Sequence, residues 1–174
     1  MKALKKILLI ILGLIVVLLL FAVWYNIKYA MDVVEPYEVN SANLEKSLLI
    51  ATQGSVFKDR VTDAVINHYK SDAVFIKVID IGNLDQINPD DFKALLLIHT
   101  WENWKPPMEV KSFIERTKSS AYKIVVLTTS GQGNYKMEEV DAITGESIIE
   151  DIPLFTEQIF ERLNLLLRIT EHKN

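Results

Sequence analysis

The stretch that decides the fold is "SLLIATQGSVFKDRV", Ser47 to Val61. An apolar run, Leu48 to Ala51, stops at Thr52-Gln53-Gly54-Ser55, and a charged pattern follows in which Val61, Ala64, Val65, His68 and Tyr69 share one face at helical spacing. A short continuous apolar run reads as a buried strand, and Ser55 reads as the N-cap of the helix after it. The turn between them is either a ligand cradle or plain punctuation.

Outward from that unit the pattern repeats. "AVFIKVIDI", Ala73 to Ile81, is rich in β-branched residues and ends at Gly82-Asn83, Ala94 to Ile98 follows an Asn88-Pro89-Asp90-Asp91 turn, and Ile124 to Thr128 gives a fourth run. Pro106-Pro107 opens a helical pattern with Val110, Phe113 and Ile114 on one face, and Phe155, Ile159, Leu163 and Leu166 recur behind an Asp151/Pro153 start. Four apolar runs alternating with helices, with no hairpin signal, predict an α/β fold: a mainly parallel four- to five-stranded sheet covered on both faces. "GQGNYKMEEVDAITGESIIED" is too short for a helical crossover plus a long strand, so it predicts a long loop with a short fifth strand, Val140 to Ile143.

Toward the N-terminus, Ile7 to Trp24 is a run of eighteen residues without a charge. At about 1.5 Å per residue it spans about 27 Å, close to the roughly 30 Å of a hydrocarbon core. Lys2, Lys5 and Lys6 precede it, and Trp24, Tyr25 and Tyr29 follow at interfacial depth, which predicts a single-pass anchor with its basic end in the cytoplasm and the C-terminal domain extracytoplasmic. A cleaved signal peptide is the competing reading, disfavoured by the bulky Phe21-Ala22-Val23-Trp24-Tyr25 flank. The expected organisation is an anchor over residues 1–30, a juxtamembrane linker over 31–46 and one domain over 47–174.

Four of the 19 basic residues precede Met31, leaving 15 against 23 acidic ones, so the domain is acidic and lacks the basic stripe that nucleic-acid binding requires. The absence of cysteine excludes disulfides, thiol nucleophiles, zinc thiolates and iron–sulfur ligation. No G-x-S-x-G elbow, P-loop or H-E-x-x-H helix occurs.

The order of elements, the turn at Thr52 to Ser55, the aromatic loop "HTWENW" after the third strand and the loop "TTSGQGNY" after the fourth together resemble the flavodoxin-like superfamily over roughly Leu48 to Leu167. The resemblance implies a three-layer flavodoxin-like sandwich, with flavin mononucleotide (FMN) as cofactor and electron transfer with a redox partner as activity. It places the phosphate on Thr52, Gln53, Gly54 and Ser55. The ring would lie among Thr100, Trp101, Trp104, Thr129, Ser130, Gly131 and Tyr135. A helix N-terminus at such a turn is an anion site without any lysine, and Trp101, Trp104 and Tyr135 are suited to covering a flat ring. Aligning Gly54 with the family's phosphate-turn glycine puts Ala51, Gln53 and Val56 where hydroxyls belong. That departure motivates the alternative, a non-catalytic binding or scaffold module of the cell envelope that has lost the flavin and meets a partner through Trp101 and Trp104.

Of the histidines, His68 reads as structural on its apolar helix face, His99 ends the third strand where side chains face a site, and His172 reads as terminal and solvent-exposed. Asp80, Asp141 and Glu146 read as turn residues without metal-ligand spacing.

Overall fold

The computed structural model describes residues 2–29, 31–138 and 140–169. The chain divides after Met31 into two compact units. The first is helix α1, Lys2–Tyr29, whose Ala3–Tyr25 span contains an 18-residue window with a mean hydropathy of 3.4. These 23 residues make α1 long and apolar enough to cross a membrane. His172 lies outside the described residues.

The second unit is α/β. Its strands are β1 (Tyr37–Val39), β2 (Lys46–Thr52), β3 (Val74–Asp80), β4 (Ala94–Thr100), β5 (Ile124–Thr129) and β6 (Ala142–Gly145), and its α-helices are α2 (Val56–Tyr69), α3 (Met108–Arg116) and α4 (Ile152–Leu167). One sheet holds all six strands in the order β1-β3-β2-β4-β5-β6, with every pairing parallel except β1 to β3.

Strand alternation builds two cores. Leu48, Ile50, Ile76, Leu96, Ile98 and Leu127 face α2 and α4, where they meet Phe57, Val61, Val65, Phe155, Ile159 and Leu163. Leu49, Ala51, Ile79, Leu95, Leu97 and Val126 face the other way, onto Val110 and Phe113 of α3. Both faces are buried, which is why the sheet strands read as continuous apolar runs. Tyr69 Oη donates to Asn164 Oδ1 at 2.9 Å in the buried interface of α2 and α4. On the opposite layer, Arg116 donates to the carbonyls of Leu84 and Ile87 at 2.6 and 2.8 Å, tying α3 to the 3₁₀ turn Ile81–Gln86.

The strand at Leu48 to Ala51, the Ser55 cap, the helical starts after Pro107 and at Asp151, and the absence of a helix between β5 and β6 all appear as the sequence indicated. Three features differ. The sheet has a sixth strand because part of the expected linker is folded: β1 pairs with β3, Val34 N–H donates to Asp80 Oδ2 at 3.0 Å, and Asn40 Nδ2 donates to the carbonyls of Lys70 and Val74. Three paired residues on an edge leave no periodic signature. The short last strand runs from Ala142 to Gly145 rather than Val140 to Ile143, and Gly145 lies so close to Phe155 that a Cβ there would strike the ring. Finally, β3 connects to β4 through two 3₁₀ turns, Ile81–Gln86 and Pro89–Asp91, with no α-helix between. His68 is exposed and stacks on Phe160, ring centroids 3.9 Å apart.

Tyr69→Phe strands the Asn164 carbonyl in a buried interface, and should cost about 1–3 kcal/mol in chemical denaturation. Pairing it with Asn164→Leu, which removes the acceptor as well, should return part of that loss. A double variant no more stable than Tyr69→Phe alone would show that the bond does not join the helices as described.

Candidate functional site

The chain leaves β2 for β3 on one side and later returns to β4 on the other, so the strand order reverses between β2 and β4. In open α/β sheets the crevice beyond the carboxyl ends at such a reversal is where ligands bind. The segments arriving there are Thr52 to Ser55 after β2, His99 to Lys105 at β4, Thr128 to Gly131 at β5 and Gly145 to Ser147 at β6.

A polar network joins them. Gln53 Oε1 accepts from the Thr100 N–H at 2.8 Å, Thr100 and Thr129 share a hydroxyl contact at 2.9 Å, and Ser147 Oγ donates to Thr129 Oγ1 at 3.0 Å. The Trp101 N–H donates to the Thr129 carbonyl at 2.7 Å, and the Ser130 N–H to that of Gly145 at 3.0 Å. Thr52 Oγ1 turns back onto the Gln53 carbonyl at 3.1 Å. The expected residues at the ends of β2, β4 and β5 therefore do come together, bonded chiefly to one another.

The β2–α2 turn is closed by the chain itself. The Gly54 N–H donates to the Asp32 carbonyl at 2.7 Å and the Asp32 N–H returns the bond at 3.1 Å. A Cβ on Gly54 would lie 2.6 Å from that carbonyl oxygen, so Asp32 presses directly on the turn. Ser55 Oγ accepts from the Lys58 N–H and from Lys58 Nζ, each at 3.3 Å.

Lys58 is the residue that sequence reasoning passed over. It is fully buried, although it stands in what reads as a charged, solvated pattern. Burial lowers its pKa to about 8, outweighing the carboxylates of Glu102 and Asp59, which act in the opposite direction. The available signal was the Ser-x-x-Lys spacing across a helix start, which brings the amine back to the cap residue. His99 is buried beside it in the sheet, with Nε2 3.0 Å from Thr128 Oγ1. Its pKa falls to about 4, chiefly through burial, with the Lys58 charge adding to the effect and the Thr100 backbone opposing it.

The aromatic residues form a separate group. Trp101 stacks on Tyr135 with centroids 5.9 Å apart and planes 17° from parallel. Glu102 and Lys105 exchange backbone hydrogen bonds of 3.0 and 3.1 Å around a two-residue turn whose members, Asn103 and Trp104, have φ of 49° and 58°. Positive φ at both positions is the type I′ requirement, normally met by Asn-Gly. Trp104 is 81% exposed. Trp101, Asn103, Trp104, Gly131, Gln132 and Tyr135 line an open cleft of 270 Å³.

This arrangement does not fit FMN in the expected pose. The Gly54 N–H already has a carbonyl partner, and Asp32 fills the space a phosphate oxygen would need. Trp101 and Tyr135 lie against each other, and a ring inserted between two others needs their planes about 7 Å apart, twice the roughly 3.5 Å contact distance of carbon atoms. Among the described residues, no group of three His, Asp or Glu side chains is placed to hold a metal ion. A larger groove of 1070 Å³ opens beside α3, lined in part by Ile114, Tyr122, Ile124, Val126, Met137 and Val140, where the described residues of the β5–β6 connection form no helix.

Both buried bases give stability a pH signature. The folded-state pKa of Lys58 lies below its unfolded value of 10.5, so the unfolded chain binds more protons and stability rises with pH through that window. Relative to Lys58→Met, the full chain in detergent should gain about 2 kcal/mol between pH 7 and pH 9.5. For His99, stability present above pH 6.5 is lost as pH falls toward about 4. His99→Gln should flatten that acid limb. Parallel pH profiles for wild type and either variant would contradict the burial of that group.

No protein-family model matches this chain and no curated protein matches it. Its function is therefore argued from the geometry of this crevice.

Proposed function

We propose that the chain is a membrane-anchored binding module of flavodoxin-like architecture, which presents the 101–104 loop to a ligand or partner on the extracytoplasmic side. Three features support the architecture and location. The five parallel strands follow the 2-1-3-4-5 order of flavodoxin-like folds. The crevice lies at the reversal point of that order. The apolar stretch of the N-terminal helix follows that helix's own Lys2, Lys5 and Lys6, consistent with a cytoplasmic basic end.

The observation that carries the binding reading is how the crevice's groups are used. The chain's own Asp32 occupies the phosphate turn, and Trp101 and Tyr135 occupy each other. What remains presented to solvent is Trp104, held in a backbone conformation that costs a non-glycine residue about 1–2 kcal/mol. Strain of this kind concentrates at ligand clamps. Electron transfer through FMN bound in a pose other than the expected one is the second reading, and the flavodoxin-like strand order is the observation that favours it.

Two measurements separate the readings. FMN titrated into the detergent-solubilised full chain should leave the flavin spectrum and fluorescence unchanged, whereas stoichiometric uptake would favour the redox reading. In capture experiments from envelope extracts, Trp101→Ala with Trp104→Ala should lose whatever wild type retains. An unchanged set of captured molecules would remove the loop from the binding surface.

A further inference from the structure

We infer that the cleft between Trp101, Trp104 and Tyr135 is a saccharide-binding site for a neutral pyranose ring. The inference rests on the binding-module reading above and names the ligand of that same loop. Its first ground is the lining. Trp101, Trp104 and Tyr135 supply flat apolar faces, Asn103 and Gln132 supply amides, Gly131 supplies open backbone, and no charged side chain is among them. A pyranose presents the matching pair of surfaces, an apolar face of C–H groups and a rim of hydroxyls that each both donate and accept. A primary amide also does both, so Asn103 and Gln132 can each engage two neighbouring hydroxyls.

The second ground is the pair of polar atoms buried without a partner beside the cleft, the Trp101 Nε1–H and Ser130 Oγ. Trp101 is one wall, and Ser130 directly precedes Gly131, another wall. Ser130 is 5% exposed. A buried donor or acceptor without a partner is destabilising, and a ligand hydroxyl that reaches either atom relieves that cost. The third ground is size and charge. At 270 Å³ the cleft is just below the roughly 300–1,000 Å³ of drug-sized sites, which suits one ring and not a dinucleotide. An uncharged lining on a domain with 23 acidic residues against 15 basic ones gives an anion no attraction.

The stack of Trp101 on Tyr135 limits where the ring can sit. Trp101 and Tyr135 are stacked on each other, so the sugar lies against an outer aromatic face and under Trp104, in contact with Asn103 and Gln132. The turn holding Asn103 and Trp104 closes through the Glu102 and Lys105 backbone bonds, which set the main chain that carries Trp104 before the ligand arrives. Such preorganisation lowers the ordering cost of binding.

The test uses the full chain in a detergent without a sugar headgroup, titrated with neutral trisaccharides of glucose, N-acetylglucosamine and mannose while tryptophan fluorescence and heat are recorded. At least one should bind with a Kd below about 10 mM. Trp104→Ala and, separately, Gln132→Ala should each weaken it at least fivefold. Gln132 sits in an exposed turn, so its variant keeps the test valid should Trp104→Ala fail to fold. No heat or fluorescence change with any trisaccharide overturns the inference, as does affinity unchanged in both variants, or riboflavin binding that no saccharide displaces. If saccharides fail while the double tryptophan variant still loses its captured molecule, the binding module stands with a different ligand. If both fail, both fall.

Discussion

The fold depends on the bonding of β2 on both of its edges. Over its seven residues it pairs with β3 on one side, and from Leu48 to Thr52 it pairs with β4 on the other. Leu48, Leu49, Ile50 and Ala51 are fully buried, alternating between the two cores. At about 1.5–3 kcal/mol for each large aliphatic side chain taken out of water, β2 and its neighbour β4, whose Leu95, Leu96, Leu97 and Ile98 are buried as completely, hold the centre of the sheet. A right-handed crossover through α2 must then place β3 beside β2, and the return to β4 on the far edge creates the reversal at which the crevice opens.

That crevice is finished by a segment from outside the alternating strand and helix pattern. Asp32 pairs with Gly54, Val34 with Asp80, and β1 with β3, so the residues leading into the domain run across the end of β2 and along the edge of the sheet. The Gly54 N–H, which would otherwise face an anion, is thereby bonded within the chain. With the phosphate position closed, the polar residues that converge there work as a stitch. Gln53, Thr100, Thr129 and Ser147 bond in series across β2, β4, β5 and the β6 turn, holding four loop starts at fixed spacing. Lys58 and His99 are buried next to this partly exposed stitch, and burial lowers both pKa values.

Much of this was legible in the residues. The apolar runs announced β2 to β5 because a parallel sheet covered on both faces demands apolar side chains at every position. The N-cap was legible because Ser55 satisfies a helix N–H by a local rule that needs no tertiary context, and its side chain does accept from Lys58 N–H. What was not legible depends on distant partners. The strand Tyr37–Val39 is only three residues long and owes its place to β3. The closure of Gly54 by Asp32 joins residues 22 apart through backbone atoms, which no side-chain pattern reports. Lys58 looked solvated because periodicity cannot show that its amine turns toward the cap residue instead of water.

The aromatic loop shows how the two halves of the crevice divide their tasks. A tryptophan at the second position of a two-residue turn with positive φ is unfavourable by itself, since glycine would adopt that backbone freely. It persists because the Trp101 N–H is fixed to the Thr129 carbonyl, Trp101 is stacked on Tyr135, and Glu102 and Lys105 close the turn, so the surroundings over-determine the strained pair. Those restraints sit in the loops that follow β4 and β5, whose starts the stitch joins. The partly buried network ties the loop starts together, and beyond it Trp104 presents a large aromatic side chain to solvent, with the amides of Asn103 and Gln132 in the same cleft lining.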